Sequence, residues 1–197
     1  MRKIISKPEG KRKKRAKQVI LGVILAVVIT LSTIGYSFDV SERKSSGDSE
    51  SIIYNEFEFI KEESFWTTFM GNQRFYFSYN PNEAKTGDDA EITKTLTDYS
   101  SKPLYISSES PEAEYEIYRN LDRFILRRQY ACLNSSGKKC DKNYPVKTCD
   151  DDFIIIEKRN SGNNEIRQEQ NCIFISGKEE ELVKLADRFL FEILEIQ

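Results

Sequence analysis

The chain of 197 residues contains no histidine, nine glycines and four cysteines, and its formal net charge at pH 7 is −2. Without histidine, Ser-His-Asp triads, Cys-His dyads and His-ligated zinc are excluded, so any hydrolytic chemistry would depend on carboxylate pairs. The charge is unevenly distributed, because residues 1–18 carry nine Lys or Arg and one acid, which leaves a net charge of −10 on the remainder.

An uncharged apolar segment, residues 19–38, follows the basic residues directly. As a helix rising about 1.5 Å per residue it would span about 30 Å, the thickness of the hydrocarbon core of a bilayer. Because short basic flanks stay cytoplasmic, the sequence predicts a basic cytoplasmic tail at 1–18, a transmembrane helix at 19–38 and an extracytoplasmic C-terminal part. The sequence therefore predicts a single-pass protein of the cell membrane.

Two alternatives to this signal-anchor stay open. A cleaved signal peptide has an apolar core of about 7–15 residues, which is shorter than this segment. The basic run could instead bind nucleic acid or direct nuclear import. Its position directly before an apolar span favours membrane topology, and the acidic remainder disfavours nucleic acid as a partner.

The rest of the chain divides into a spacer and one domain. Residues 39–51 are small and polar, which is typical of a flexible spacer, and residues 52–197 have a normal single-domain length. Alternating aromatic residues and the turn Gly71-Asn72 predict strands early in this domain. The predicted elements of this part are strands at 54–59, 65–70, 74–79 and 103–107, with a short helix within 88–99.

The second half of the domain is predicted to contain two helices and a strand pair. The first helix begins at the N-cap Ser110 and Pro111 and continues to the turn formed by residues 134–137. The runs at 153–156 and 172–175 predict a central strand and its hairpin partner. The apolar periodicity of 182–194 predicts a final helix. These elements indicate an α+β fold: a two-layer domain with a mixed or antiparallel sheet and helices packed on one face.

The four cysteines all follow the apolar segment, and an even number outside the cytoplasm favours disulfides. We expect the pairs Cys132–Cys140 and Cys149–Cys172, the first closing the loop after the long helix and the second clamping the final strand pair. A zinc site built from four thiolates is the alternative, although the spacings do not match the usual C-x2-4-C pairs. A redox role for the thiols is a third interpretation.

Candidate ligand-binding or modified residues are few. The acidic clusters Asp88-Asp89 and Asp150-Asp151-Asp152 are interpreted as solvated loops, with calcium contact as the alternative. Asn134-Ser135-Ser136 matches the N-glycosylation pattern, so Asn134 is a predicted acceptor. The aromatic residues of the early strands are predicted to form core rather than a stacking platform. We expect no cofactor and no metal, and the sequence identifies no catalytic residue.

Several strings of the sequence carry a resemblance that covers most of residues 52–197. The chain resembles uncharacterised single-pass membrane proteins of archaea with small genomes, which implies an anchored, disulfide-bearing extracytoplasmic α+β domain and supplies no catalytic residues. The strings are Trp66-Thr67-Thr68 leading to Gly71, Phe75-x-Phe77-x-Tyr79-x-Pro81, Lys102-Pro103-Leu104-Tyr105-Ile106, Ala131-Cys132, Pro145-Val146-Lys147-x-Cys149, Asn171-Cys172-Ile173 and Ala186-Asp187-Arg188-Phe189.

The sequence supports two main hypotheses about function. The first is a non-enzymatic membrane-tethered domain that binds an envelope protein, a surface glycan or another envelope ligand. The second is an extracytoplasmic hydrolase that uses an Asp/Glu pair, which would require two carboxyl groups about 5–9.5 Å apart in a cleft. The oligomeric state is left open by the sequence.

Overall fold

The computed structural model describes residues 50–85, 91–134 and 140–197. These residues belong to a structural unit that runs from Ser49 to Gln197. The predicted cytoplasmic tail and transmembrane helix, and all but the last two residues of the predicted spacer, lie outside the described residues. Within those ranges, none of the helices combines the length and apolar character needed to cross a bilayer.

The domain begins with an antiparallel meander of four strands in sequential order. A single strand at 54–59 was predicted, and this prediction is wrong because Asn55 and Glu56 form a tight turn with positive φ of 44° and 70°. The hairpin around Gly71, which has a φ of 58°, is confirmed. The strands are β1 (Ser51–Tyr54), β2 (Phe57–Glu62), β3 (Phe65–Met70) and β4 (Gln73–Phe77).

A second, mixed sheet of five strands is formed by the rest of the chain. Its strands are β5 (Pro103–Ser108), β6 (Arg127–Tyr130), β9 (Phe153–Lys158), β10 (Glu165–Glu169) and β11 (Cys172–Gly177). The spatial order is β10-β11-β9-β5-β6, and every neighbouring pair is parallel except β10 with β11. Two short strands, β7 (Cys132–Leu133) and β8 (Val146–Lys147), pair in parallel beside this sheet.

The helices are α1 (Leu96–Tyr99), α2 (Pro111–Leu121) and α3 (Leu182–Ile193), and a 3₁₀ turn (Glu179–Glu181) precedes α3. Helix α2 begins as predicted, with Ser110 as its N-cap, but it ends at Leu121 instead of continuing to residue 133. The Leu121 carbonyl accepts hydrogen bonds from the amides of Phe124 and Ile125, which turns the chain into edge strand β6.

The prediction that 153–156 and 172–175 form a hairpin is also wrong. These strands, β9 and β11, are neighbours but run parallel, and the hairpin partner of β11 is β10. Strand β10 contains a single apolar residue, Ile166, and lies at the sheet edge. Its sequence therefore lacks the alternation that marks a strand with one buried face.

The α+β class is confirmed, but helix α3 lies between the two sheets instead of covering one face of a single sheet. Phe191 contacts Phe59 and Phe77 of the meander, with ring centroids 5.8 and 4.5 Å apart. On the other side α3 packs against β11, where the side chains of Asn164 and Leu185 would lie within 3 Å of a Cβ atom at Gly177. The opposite face of the mixed sheet carries a smaller core that includes Tyr105, Phe153 and Phe174.

Candidate functional site

A crevice with a volume of about 320 Å³ opens where the parallel strands β5, β6 and β9 end. After β5 the chain passes through α2 and forms β6 on one side of β5. It then crosses back, and β9 pairs with the other side of β5. Such a reversal of strand order leaves a gap at the carboxyl ends of the strands, and ligands of open α/β sheets bind there. The crevice occupies this position on the face of the sheet away from α3.

The walls of the crevice combine apolar, aromatic and acidic groups. Ala131 and Leu133 belong to the smaller core and form part of its floor. Tyr130 and Tyr144 stack with ring centroids 5.7 Å apart and an interplanar angle of 28°. The remaining polar lining consists of Ser107, Ser108, Asp141, Glu157 and the Cys132–Cys140 disulfide.

The Tyr130 side chain is held in place by a charged group outside the crevice. Its hydroxyl donates a 2.6 Å hydrogen bond to Glu114, whose carboxylate also accepts from Arg128 at 2.9 Å. The hydrogen bond to Glu114, and then burial, raise the pKa of Tyr130. The phenol is therefore fixed in its protonated form, with its ring against Tyr144.

Both predicted disulfides are present, one at the crevice and the other at the opposite end of the parallel strands. Cys132–Cys140 lines the crevice, and Cys149–Cys172 ties the fully buried start of β11 to the preceding loop. A zinc site would need thiolates, and the two disulfides use all four sulfur atoms. Closing loops of this size adds about 2–4 kcal/mol to stability in the chain-entropy model.

A second cluster of polar side chains forms hydrogen bonds with the β4 edge of the meander. We call it the carboxyl clasp, and it consists of Glu116, Asn120 and Asp187. The Asn120 amide accepts from the Tyr76 amide at 2.9 Å and donates to the Tyr76 carbonyl at 2.7 Å. Glu116 accepts from the amide and hydroxyl of Ser78, and Asp187 accepts from the Tyr79 amide at 2.8 Å. The clasp thus supplies the hydrogen bonds that a neighbouring strand would otherwise form with the backbone of β4 and the residues after it.

Asp187 is fully buried, and the pKa of its carboxyl is raised well above the usual range. Burial is the largest cause, followed by the charge and the hydrogen bond of Glu116. Arg119 forms an ion pair with Glu116, which places a cation beside the two carboxyl groups. Two adjoining carboxyl groups that share a proton are electrostatically preferred to two ionised ones.

In the predicted solvated cluster Asp150-Asp151-Asp152, Asp150 is exposed but Asp152 is not. Asp152 directly precedes β9, where its carbonyl accepts a hydrogen bond from the Tyr105 amide, and its side chain is largely buried in an ion pair with Lys94. Asp151 pairs with Lys147, and Asp150 accepts from the Thr148 hydroxyl. In the part of the chain that the structure describes, His, Cys, Asp and Glu form no group of three or more able to hold a metal ion. Asp88-Asp89 lies outside that part.

The remaining residues singled out by the sequence are the aromatic residues of the early strands and Asn134. Of the aromatic residues predicted to form core, four are buried and two, Phe57 and Tyr79, are partly buried against them; the buried four are Phe59, Trp66, Phe75 and Phe77. Asn134 is exposed, and its glycosylation stays a prediction. Sequence reasoning missed the crevice tyrosines and the clasp. The one available signal was Asp187, a carboxylate in a helix that is apolar on almost every side.

Comparison with known protein families, curated proteins and solved structures finds no match for this chain. The archaeal resemblance accordingly stays a prediction.

Proposed function

We propose that this chain is a single-pass, membrane-anchored binding protein, whose domain lies beyond the bilayer and binds an envelope ligand in the crevice between the ends of β5, β6 and β9. The crevice carries the proposal, because it combines a topological switch point with aromatic and acidic walls. The basic residues and the apolar segment of the N-terminal part supply the argument for the anchor.

The disulfides support both parts of the proposal. Structural disulfides persist in oxidising compartments and are rare in the cytosol. A crevice wall fixed by Cys132–Cys140 also loses less conformational entropy when a ligand binds, since the wall is already ordered. A small envelope component, or a part of a larger partner, could occupy this space.

A hydrolase that uses Glu116 and Asp187 is the second candidate, because the raised pKa of Asp187 is what a general acid requires. A groove of about 550 Å³ is lined by Glu116 and Arg119. However, Asp187 is fully buried, and its contacts and those of Glu116 hold the backbone of β4. The adjoining carboxyl groups lack the separation that water or substrate would need, so binding is the better-supported function.

Filling the crevice is expected to abolish ligand binding. The variant Ser107→Trp places a large ring at the end of β5, and Ser64→Trp makes the same change at an exposed turn as a matched control. The full chain in detergent micelles is screened by thermal unfolding against small amines, neutral sugars and inorganic anions. A ligand at 100 times its Kd adds about 2.7 kcal/mol, which raises the Tm by about 5–10 °C.

We expect at least one of these compounds to raise the Tm of the wild-type chain and of Ser64→Trp, but not that of Ser107→Trp. The proposal would be contradicted by compounds that shift all three proteins equally, or by the absence of any shift across the panel.

A further inference from the structure

We propose that the group recognised in the crevice is an organic cation, an ammonium ion in the simplest case. This inference rests on the proposed function, because it names the ligand class of the same crevice. It follows from the stacked tyrosines, from the negative charges of the lining residues and from the capped N-terminus of helix α2.

The stacked pair Tyr130–Tyr144 gives the crevice an aromatic wall. Tyr144 is 44% exposed, so its ring is accessible to a ligand. The face of an aromatic ring carries a negative quadrupole and attracts cations within about 6 Å of the centroid. Tyr130 already has such a partner in the protein, the Arg128 guanidinium at 5.5 Å from its centroid.

The charged side chains that line the crevice in the described part of the chain are both acidic. Asp141 is exposed, and its Oδ1 accepts a 2.9 Å hydrogen bond from the Asn143 amide, which orients the carboxylate. Glu157 lines the other side and already has a contact within the protein. Asp141 is therefore the carboxylate that we assign to the bound cation.

Helix α2, which follows β5, offers no anion site at its N-terminus. In doubly wound sheets a glycine-rich turn and free helix N–H groups bind phosphate at the equivalent place. Here the connection contains no glycine, the Ser110 hydroxyl caps the Ala113 amide, and Pro111 has no N–H. Glu112 and Glu114 in the first turn already compensate the helix dipole. Glu114, which accepts the hydrogen bond of Tyr130, adds a negative charge beside the aromatic wall, whereas Ser110 and Glu112 line the separate groove next to Glu116.

The size of the crevice limits the ligand to a compact group. A volume of about 320 Å³ lies near the lower end of the range of about 300–1,000 Å³ that is typical of small-molecule sites. An amino sugar or a short polyamine matches this volume, and the hydroxyl groups of Ser107 and Ser108 offer it further hydrogen-bond partners.

The test compares probes that differ in charge. Glucosamine, N-acetylglucosamine, spermidine and inorganic phosphate are titrated calorimetrically at pH 6.5 into the full chain in detergent micelles. The variants are Asp141→Asn, which keeps the side-chain shape, Ser107→Trp, which fills the crevice, and Asp150→Asn, a control at an exposed aspartate that does not line the crevice.

We expect glucosamine or spermidine to bind the wild-type chain and Asp150→Asn, with N-acetylglucosamine and phosphate much weaker. Loss of one charge-assisted contact should weaken binding to Asp141→Asn about tenfold or more, and Ser107→Trp should not bind. Binding of N-acetylglucosamine as tight as that of glucosamine would overturn the cation proposal and leave the crevice as a binding site.

Preferential binding of phosphate would also overturn the cation proposal. If none of the four probes binds, or if Ser107→Trp binds them as tightly as the wild-type chain does, the cation proposal fails together with the proposed binding crevice.

Discussion

Replacing Asp152 with alanine is expected to lower the free energy of unfolding by about 3–5 kcal/mol, because it leaves the buried Lys94 ammonium without its carboxylate. The side chains of Lys94 and Asp152 are only 6% and 9% exposed. The ammonium lies 4.8 Å from the ring centroid of Tyr99, which is itself fully buried, so water cannot easily replace the lost partner. Urea unfolding of the full chain in detergent, followed by the fluorescence of Trp66, measures the loss.

Two further variants separate the ion pair from the effects of packing. Lys94→Met should cost less than Asp152→Ala, because Asp152 keeps the Lys102 ammonium at 4.0 Å. The double variant Lys94→Met/Asp152→Ala removes both charges and should recover most of the lost stability. If the effects of the two single changes simply add in the double variant, the two groups do not form a coupled pair.

The second large effect is expected at Asp187, where the stability of Asp187→Asn relative to the wild-type chain should increase as the pH rises above about 4 toward the raised pKa of Asp187. Above about pH 4 an unfolded aspartate is ionised, whereas the buried Asp187 carboxyl, whose pKa is raised, stays protonated to higher pH. The folded state then binds one more proton at this site, so the contribution of Asp187 to stability falls by about 1.4 kcal/mol per pH unit until the raised pKa of Asp187 is reached. The asparagine amide cannot ionise, and its nitrogen can donate to Glu116.

Asp98 provides a control, because its pKa is shifted in the opposite direction to that of Asp187. The pKa of Asp98 is lowered, chiefly by the hydrogen bond that its carboxylate accepts from the Thr95 backbone amide. The stability that this carboxylate adds is present above the unfolded pKa and is lost as the pH falls through the lower folded value. Asp98→Asn should therefore be less stable than wild type at neutral pH and equal to it at acid pH. Equal pH slopes for Asp187→Asn and the wild-type chain would show that Asp187 is ionised in the folded protein.

The sequence predicted those elements whose information is local. The β3–β4 hairpin combines alternating aromatic residues with a glycine at the turn, and both features act over a few residues. Helix α3 has apolar residues at helical spacing, and the cysteine spacings together with the expected strand positions led to the correct disulfides. These signals need no knowledge of distant parts of the chain.

The missed features depend on contacts between distant residues. The spacing of Leu121, Phe124 and Ile125 suits a helix, and no glycine or proline marks the end of α2 at Leu121. Only the pairing of residues 127–130 with β5 decides that this segment is a strand. Tyr130, which lines the crevice, is the last residue of that strand. Because residues 127–130 were predicted to be helical, the sequence did not indicate that Tyr130 lies at the end of a strand.

The clasp could not be predicted from the sequence, because its contacts also join residues that are far apart along the chain. Asn120 and Tyr76 are 44 positions apart in the sequence, and Asp187 is 108 positions from Tyr79. No pattern along the chain relates a side chain on a helix to an unpaired strand edge. The placement of α3 between two sheets is likewise a consequence of packing and is absent from the local pattern of the helix.

The location of the domain underlies both the proposed function and the proposed ligand class. It is tested by adding protease to intact cells that carry one epitope before Met1 and another after Gln197, with permeabilised cells and a cytosolic protein as controls. We expect the C-terminal epitope to be removed from intact cells while the N-terminal epitope survives in the membrane fraction. A C-terminal epitope that resists protease until the cells are permeabilised would place the domain in the cytosol and contradict the membrane-anchored, extracytoplasmic assignment.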